Sequence, residues 1–264
     1  MGQEYDKFPK TNVGTHQPEQ IWRDWEMFNI HINSHKMRWL KDVTDIMDCH
    51  RFEDDFCNCP DITNGFIWQR HEWPGTSGAH SQCCVDMVNG VLELVTREDE
   101  NDSIELTQYC ECWKFLNCYP CYGEMRFHLD DAVECDFWFG YTQDNSWFFP
   151  PPQEAAVFYK NDDSALLNFE TRIAGVATVS PGIATLVECE WYRLGIHWDG
   201  QGTIRYFLFQ DGNFPQAVLA TGSHTTNLPT TELALGFGIA AGADAQKTLA
   251  VDYVKSAQLR VIEG

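Results

Sequence analysis

From Phe52 onward the apolar residues of this chain recur at every second position, a period that dictates strands with one face turned to a core. Phe52-Glu53-Asp54-Asp55-Phe56 opens the pattern. Val85 to Val88 and Val91 to Thr96 flank Asn89-Gly90, a type I′ hairpin signal because both central residues of that turn need positive φ. Ile104, Leu106, Gln108, Cys110 and Cys112 fall on one face of the next predicted strand. Met125, Phe127 and Leu129 alternate up to Asp130-Asp131, and Val133, Cys135, Phe137 and Phe139 alternate back, which predicts a second hairpin. Ala156 to Tyr159 and Ala165 to Phe169 join through Asn161-Asp162-Asp163, and Ala174 to Val179 runs to Pro181-Gly182. Trp191 to Trp198 leads through Asp199-Gly200-Gln201-Gly202 into Ile204 to Phe209, closed by Asp211-Gly212. Leu233 to Ile239 and Leu249 to Val254 come next, with Gln258 to Ile262 as a last short edge. About a dozen strands without a long helix after residue 51 predict an all-β, two-sheet antiparallel sandwich and exclude a parallel α/β design.

A length of 264 residues suits one such domain plus an accessory segment. With 10 Trp, 17 Phe and 9 Tyr the chain can fill the space between two sheets with large rings. The accessory segment comes first. Residues 1–17 are polar and aperiodic, whereas from Pro18 the residues Ile21, Trp22, Trp25 and Phe28, then Met37, Leu40, Val43 and Met47, recur at spacings of three and four. That spacing predicts one broken helix or two short ones behind an extended tail, together an N-terminal tail and helical arm over residues 1–50 ahead of a β body over 51–264. Its apolar face, with Trp22, Trp25, Phe28, Met37 and Leu40 as the contact residues, has to be covered by its own body, by copies of itself or by a foreign surface.

Charge separates the two parts. Residues 1–51 hold 7 Lys/Arg against 8 Asp/Glu, and the rest of the chain holds 11 against 31, so nearly all of the formal charge of −21 belongs to the body. Such a body repels phosphate backbones, which argues against nucleic acid as a partner. No apolar run reaches membrane-spanning length and Met1 to Lys10 has no signal-peptide core, so synthesis in a cytoplasm and no membrane partner are expected. Eleven cysteines in a reducing compartment are expected to be mostly free thiols.

Three stretches resemble the concanavalin A-like lectin/glucanase and laminin-G-like jelly rolls. One is Trp191-Tyr192-Arg193-Leu194-Gly195-Ile196-His197-Trp198-Asp199-Gly200 with Ile204-Arg205-Tyr206-Phe207 and Asp211-Gly212; the others are Leu249-Ala250-Val251-Asp252-Tyr253-Val254 and Glu53-Asp54-Asp55-Phe56. The resemblance spans residues 52–262 and speaks to fold. Joined to a small helical arm, it resembles virion structural proteins of bacteriophages, which implies a capsid decoration or fibre protein with a major capsid or other virion protein, or copies of itself, as partner. That reading carries an expected location in a virion assembled in the host cytoplasm. The alternative is a lectin-like module that binds glycans.

Catalytic signatures are missing from the sequence, and no enzyme is expected. Glycoside hydrolases of this fold carry Glu-x-Asp-x-Glu or Glu-x-Asp-x-x-Glu, which aims two carboxyl groups into one cleft about 5 Å apart. Glu134-Cys135-Asp136-Phe137-Trp138-Phe139 lacks the second glutamate in both spacings. Glu188-Cys189-Glu190 would place two carboxylates on one strand face without a third group. Gly236, Gly238 and Gly242 lie in and after a β segment, where close packing and a turn account for them better than a phosphate loop. Trp147, Phe148 and Phe149 ahead of three prolines form either a glycan- or protein-contacting loop or a loop folded over the sandwich edge. Cys110, Cys112, Cys118 and Cys121 have zinc-like spacing, with a disulfide as a further alternative, but small buried hydrophobes are the preferred reading and no metal is expected there. Calcium has candidate loops at Asp144-Asn145 and Asn161-Asp162-Asp163, where turn chemistry is the competing account, so no cofactor is expected.

Overall fold

A computed structural model describes residues 49–56, 67–73, 81–85, 90–143, 152–211 and 217–259. The arm residues Trp22, Trp25, Phe28, Met37 and Leu40 and the ring cluster Trp147, Phe148 and Phe149 lie outside the described residues, as does Asp144-Asn145. The chain divides into two compact units, Met1–Asp48 and Cys49–Gly264, and the second of them is the β body.

Sixteen strands are described: β1 (Cys49–Asp54), β2 (Trp68–Trp73), β3 (Ser81–Val85), β4 (Val91–Val95), β5 (Ser103–Gln108), β6 (Trp113–Lys114), β7 (Cys121–Leu129), β8 (Cys135–Thr142), β9 (Ala155–Lys160), β10 (Leu166–Ile173), β11 (Val176–Thr185), β12 (Tyr192–Trp198), β13 (Ile204–Gln210), β14 (Ala217–His224), β15 (Glu232–Ala241) and β16 (Thr248–Leu259). They form two antiparallel sheets. The first runs β14-β13-β12-β7-β16-β4-β3, with β1 on the far half of β16; the second runs β11-β10-β9-β8-β15-β5-β2, with β6 on β15.

The core lies between the sheets and is rich in rings. Phe127 of β7 stacks on Phe137 of β8 at 4.5 Å, Phe115 on Trp198 at 5.8 Å, and Phe158 and Phe169 of the second sheet meet Tyr206 of the first. One polar chain crosses this interior: the Cys121 thiol donates to the Tyr141 hydroxyl, which donates to Ser256 Oγ (2.6 Å), which donates to the carbonyl of Tyr122. At the sandwich edge Thr171 donates to the Thr226 carbonyl. It therefore accepts from His224 Nδ1 (2.9 Å), whose Nε2 accepts from Ser180 Oγ (2.9 Å). This clamp ties β14 of one sheet to β10 and β11 of the other.

Several sequence expectations need correction. Asp130-Asp131 does not turn a hairpin, because β7 and β8 belong to different sheets. Asp131 Oδ1 instead accepts from the amides of Val133 and Glu134, turning the chain through a corner that crosses the core. Val85 pairs directly with Val91, so five residues separate the paired ends of β3 and β4 where the Asn89-Gly90 hairpin predicted two; residues 86–89 lie outside the described residues. Ala174 and Gly175, both at positive φ (49° and 78°), turn the β10–β11 hairpin rather than opening a strand. The predicted last edge at Gln258 is the continuation of β16, a central strand, and β1 begins at Cys49, inside the segment assigned to the arm. β5 ends at Gln108, so Cys110 and Cys112 share no strand face.

Phe127 is fully buried and spans the two sheets. Phe127→Ala is expected to cost about 3–5 kcal/mol of stability, measurable as a lower midpoint in urea unfolding with an unchanged slope.

Candidate functional site

Alternation along β7 sends Cys121, Met125, Phe127 and Leu129 inward and Tyr122, Glu124, Arg126 and His128 outward. On the neighbouring strands Arg193 and His197 of β12 and Lys255 of β16 face the same way, since Arg193 pairs with Arg126, His197 with Tyr122 and Lys255 with Glu124. A bulge between Val251 and Tyr253 adds one residue to β16 opposite β7, so both Asp252 and Tyr253 reach this outer face at the level of Arg126.

The inner half of this face is a buried ion cluster. Glu124, only 1% exposed, accepts from the hydroxyls of Tyr122 and Tyr253 and pairs with Lys255 Nζ at 3.0 Å. Burial pushes its pKa up, but Lys255, Arg193 and the two tyrosine hydroxyls outweigh burial and hold it at about 2. His197, buried beside Arg205, is pulled down to about 4, by burial first and the guanidinium second, and is neutral at pH 7.

The outer half is more open. Arg126 donates through Nε to Asp211 (2.6 Å) and through Nη1 to Asp252 (2.8 Å), while Arg193 Nε reaches the other oxygen of Asp211 at 3.1 Å. The Arg126 guanidinium lies over the Trp191 ring at 4.2 Å, and His128 meets that ring edge-on at 4.5 Å. Burial lowers the His128 pKa. Trp191, His128, Arg126 and Asp252 are half-buried, so a flat ring, a guanidinium, an imidazole and a carboxylate share one partly open patch in fixed orientation.

The outer face of the second sheet differs in kind. Ala234, Gly236, Gly238 and Ala240 of β15 form a small-residue lane, and Trp138 of β8 lies across its glycines. A Cβ at Gly238 would fall 2.8 Å from Trp138 Nε1 and 2.6 Å from Glu105 Cγ, and Trp138 is fully buried. Asp136 alone of the Glu134-Cys135-Asp136 run stands on this face, accepting from the Asp162 amide. Glu134 lies in the bend before β8. Glu188, Cys189 and Glu190 occupy an exposed turn, with Cys189 at φ 57°, rather than a strand face.

The predicted cysteine cluster is dispersed in environment. Cys121 is in the core; Cys112 is half-buried and donates to Gln108 Oε1; Cys110 and Cys118 are exposed, the latter in a turn at φ 70°. Burial pushes both Cys112 and Cys121 to about 12, which keeps them as thiols, and Cys110 and Cys121 add to the rise at Cys112. Among the described residues no three His, Cys, Asp or Glu side chains converge as metal ligands. Asn161-Asp162-Asp163 turns the β9–β10 hairpin, with Asp163 at φ 57°. Sequence reasoning missed the Glu124–Arg126 face, whose one visible signal was a polar residue at every outward position of β7.

Glu124 makes stability depend on acid. Its folded pKa is depressed below the unfolded value, so its contribution is complete above about pH 4.5 and is lost as pH falls toward 2, up to about 3 kcal/mol. Urea unfolding of the native chain between these limits should show that slope. Glu124→Gln should flatten it and cost about 3–5 kcal/mol at neutral pH by leaving Lys255 uncompensated.

No protein-family model and no curated protein matches the chain. Solved structures do. A protein of unknown function from Shewanella oneidensis MR-1 superposes with TM-score 0.59 at 12% identity, covering 80% of this chain and 87% of that one. Arcelin-5, a lectin-like defence protein from Phaseolus vulgaris, gives 0.53 at 13% identity over 81% and 99% of the two chains. The CBM2 module of the evolved Dit of Lactobacillus casei BL23 phage J-1 gives 0.50 at 10% identity over 82% and 99%. The β body of this chain is a concanavalin A-like jelly roll, the fold of solved lectins and glucanases.

Proposed function

We propose that this chain is a component of a bacteriophage particle, a capsid decoration or fibre protein, whose jelly-roll body binds carbohydrate without cleaving it. The observation that carries the glycan reading is the half-buried Trp191 ring set among Arg126, His128 and Asp252. A pyranose needs an apolar platform for its C–H face and fixed donors and acceptors at the rim for its hydroxyls; in this reading the platform is the face of Trp191 turned away from Arg126, and Arg126, His128 and Asp252 form the rim. Their orientations are held before any ligand arrives, because Asp211 and Asp252 grip Arg126 and Arg126 covers Trp191, so little entropy is lost on binding. The formal charge of −21 favours neutral over anionic glycans.

Lectin-like and phage-derived domains of the same fold support this reading, as does the separation of Glu134 from Asp136 for the absence of hydrolysis. The particle role rests on the sequence: a near-neutral arm with an apolar face joined to a strongly acidic body suits an arm docked on a virion protein or on its own copies and a body facing solvent.

Two measurements test the two halves of the proposal. On a glycan array the full chain should bind a neutral oligosaccharide saturably, and Trp191→Ala should weaken that binding by about tenfold or more with an unchanged melting temperature. Equal binding by the variant removes this patch as the site, and release of new reducing ends contradicts the non-catalytic reading. Light scattering should show the full chain as an oligomer and a chain starting at Cys49 as a monomer; two monomers would remove the arm as an assembly element.

A further inference from the structure

Strands β11 and β14 close their sheets on the same flank of the sandwich, each without a hydrogen-bonded neighbour on its outer side among the described strands, and the two touch. The ladders of main-chain bonds end there, so one sheet is tied to the other along this flank by side chains. Charge plays almost no part in the tie. β11 carries no charged residue in its ten, and His224 is the single titratable residue of 217–231.

His224 stands at the centre of the tie and is only 5% exposed. Its Nδ1 donates to Thr171 of β10 and its Nε2 accepts from Ser180 of β11, both at 2.9 Å. The Thr171 hydrogen is already committed to the Thr226 carbonyl (3.1 Å), so the network holds only with the proton on Nδ1 and none on Nε2. A second proton would turn Nε2 from acceptor into donor opposite Ser180 and would place a cation in a site closed to water. Nothing there receives it. The groups that face the ring are Phe169 and Thr171 of β10, Ser180 of β11, and Ile204 and Tyr206 of β13, of which only Tyr206 is titratable. The charged residues of these strands look outward and are paired, Glu170 with Arg172 and Arg205 with Asp199, while Glu154 is taken by Thr230 and Thr231. Burial, with no charge opposing it, therefore holds the imidazole below its ordinary value of 6.5.

We infer that His224 is an acid-operated latch whose protonation releases β11 from β14 and opens the flank where the edges of the two sheets meet. The direction follows from linkage. A histidine whose folded pKa lies below its unfolded one contributes its stability in full above the unfolded value, here 6.5, and loses it as pH falls through the folded value. Glu124 acts in a lower window, below about 4.5, so the two effects separate along the pH axis. What remains after release is the weaker neighbouring contact of Thr178 with Thr226 and Asn227. Because β11 is bonded on one side only, its release needs no rupture of a central ladder, and it bares the inward side chains of Val176, Thr178 and Ser180 together with the rim of the core at Phe169 and Tyr206. The latch is independent of the glycan and particle readings and stands or falls separately from them.

The experiment follows amide hydrogen exchange of the full chain between about pH 7.5 and about pH 5, corrected for the intrinsic pH dependence of exchange. Protection across β11 should fall at least about tenfold at the acid end, while β8 and β15, central in the same sheet, keep theirs. In the native chain the midpoint of that loss should coincide with the titration of the His224 ring read by NMR, and both should lie below 6.5. His224→Gln, which offers a donor and an acceptor but does not titrate, should hold β11 equally well at both ends of the range. The ring titration of the native chain decides the matter even where that variant fails to fold. The inference is overturned if β11 protection is the same at both pH values, if its loss and the His224 titration have different midpoints, or if the glutamine variant loses protection as the native chain does.

Discussion

The pairing of β7 with β16 is the constraint on which the rest of the body depends. β16 is the longest of the described strands, and it carries β4 and β1 along one side while β7 occupies the other, so a one-residue error in its register would turn its own core side chains outward and misplace three partners. The bulge between Val251 and Tyr253 lets the strand satisfy two demands at once. It keeps Val251 and Val254 in the core on either side of it and delivers two consecutive polar residues, Asp252 and Tyr253, to the outer face. One of these secures Arg126 and the other bonds Glu124, so the same irregularity that fits β16 to β7 assembles the polar face.

That face is electrostatically balanced by construction. Glu124, Asp211 and Asp252 meet Lys255, Arg193 and Arg126 on a body that is otherwise strongly acidic. Paired charges withdrawn from water in this way add little net stability over an apolar replacement of the whole cluster, because desolvation offsets most of the Coulomb gain, although removing one partner alone is costly. What they do add is position: each guanidinium has one orientation that satisfies its carboxylates, and Trp191 is held beneath the one on Arg126. A rigid polar face on the outside of a sheet is a costly feature with no role in packing the core, which is the physical reason to read it as a place of contact.

Much of the fold was legible in the sequence, and the failures have common causes. The β12–β13 and β9–β10 hairpins came from Asp-Gly and Asn-Asp turns between alternating runs, signals that are wholly local. The Asp130-Asp131 corner also announces a turn, but nothing local says whether the returning strand joins the same sheet or the opposite one; that depends on which inward faces meet, here Phe127 against Phe137. Ala174 was hidden because a non-glycine residue at positive φ has no compositional mark. The polar face was half legible. The outward positions of β7 are all polar, yet Asp211 and Asp252 stand 85 and 126 residues from Arg126, and one of them arrives by a bulge that periodicity cannot show.

The two outer faces of the sandwich also separate two uses of tryptophan. Trp138 spends its ring on the glycine lane of β15, where side chains at Gly236 and Gly238 would collide with it, and it has no exposed surface left to offer. Trp191 stands at the mouth of β12, packed by a guanidinium and an imidazole that are themselves half open to water. A ring buried against small residues stabilises a sheet, whereas a ring flanked by preoriented polar groups at a rim has both an apolar surface and a hydrogen-bonding border. That contrast, more than the shared fold, distinguishes the two outer faces of the sandwich.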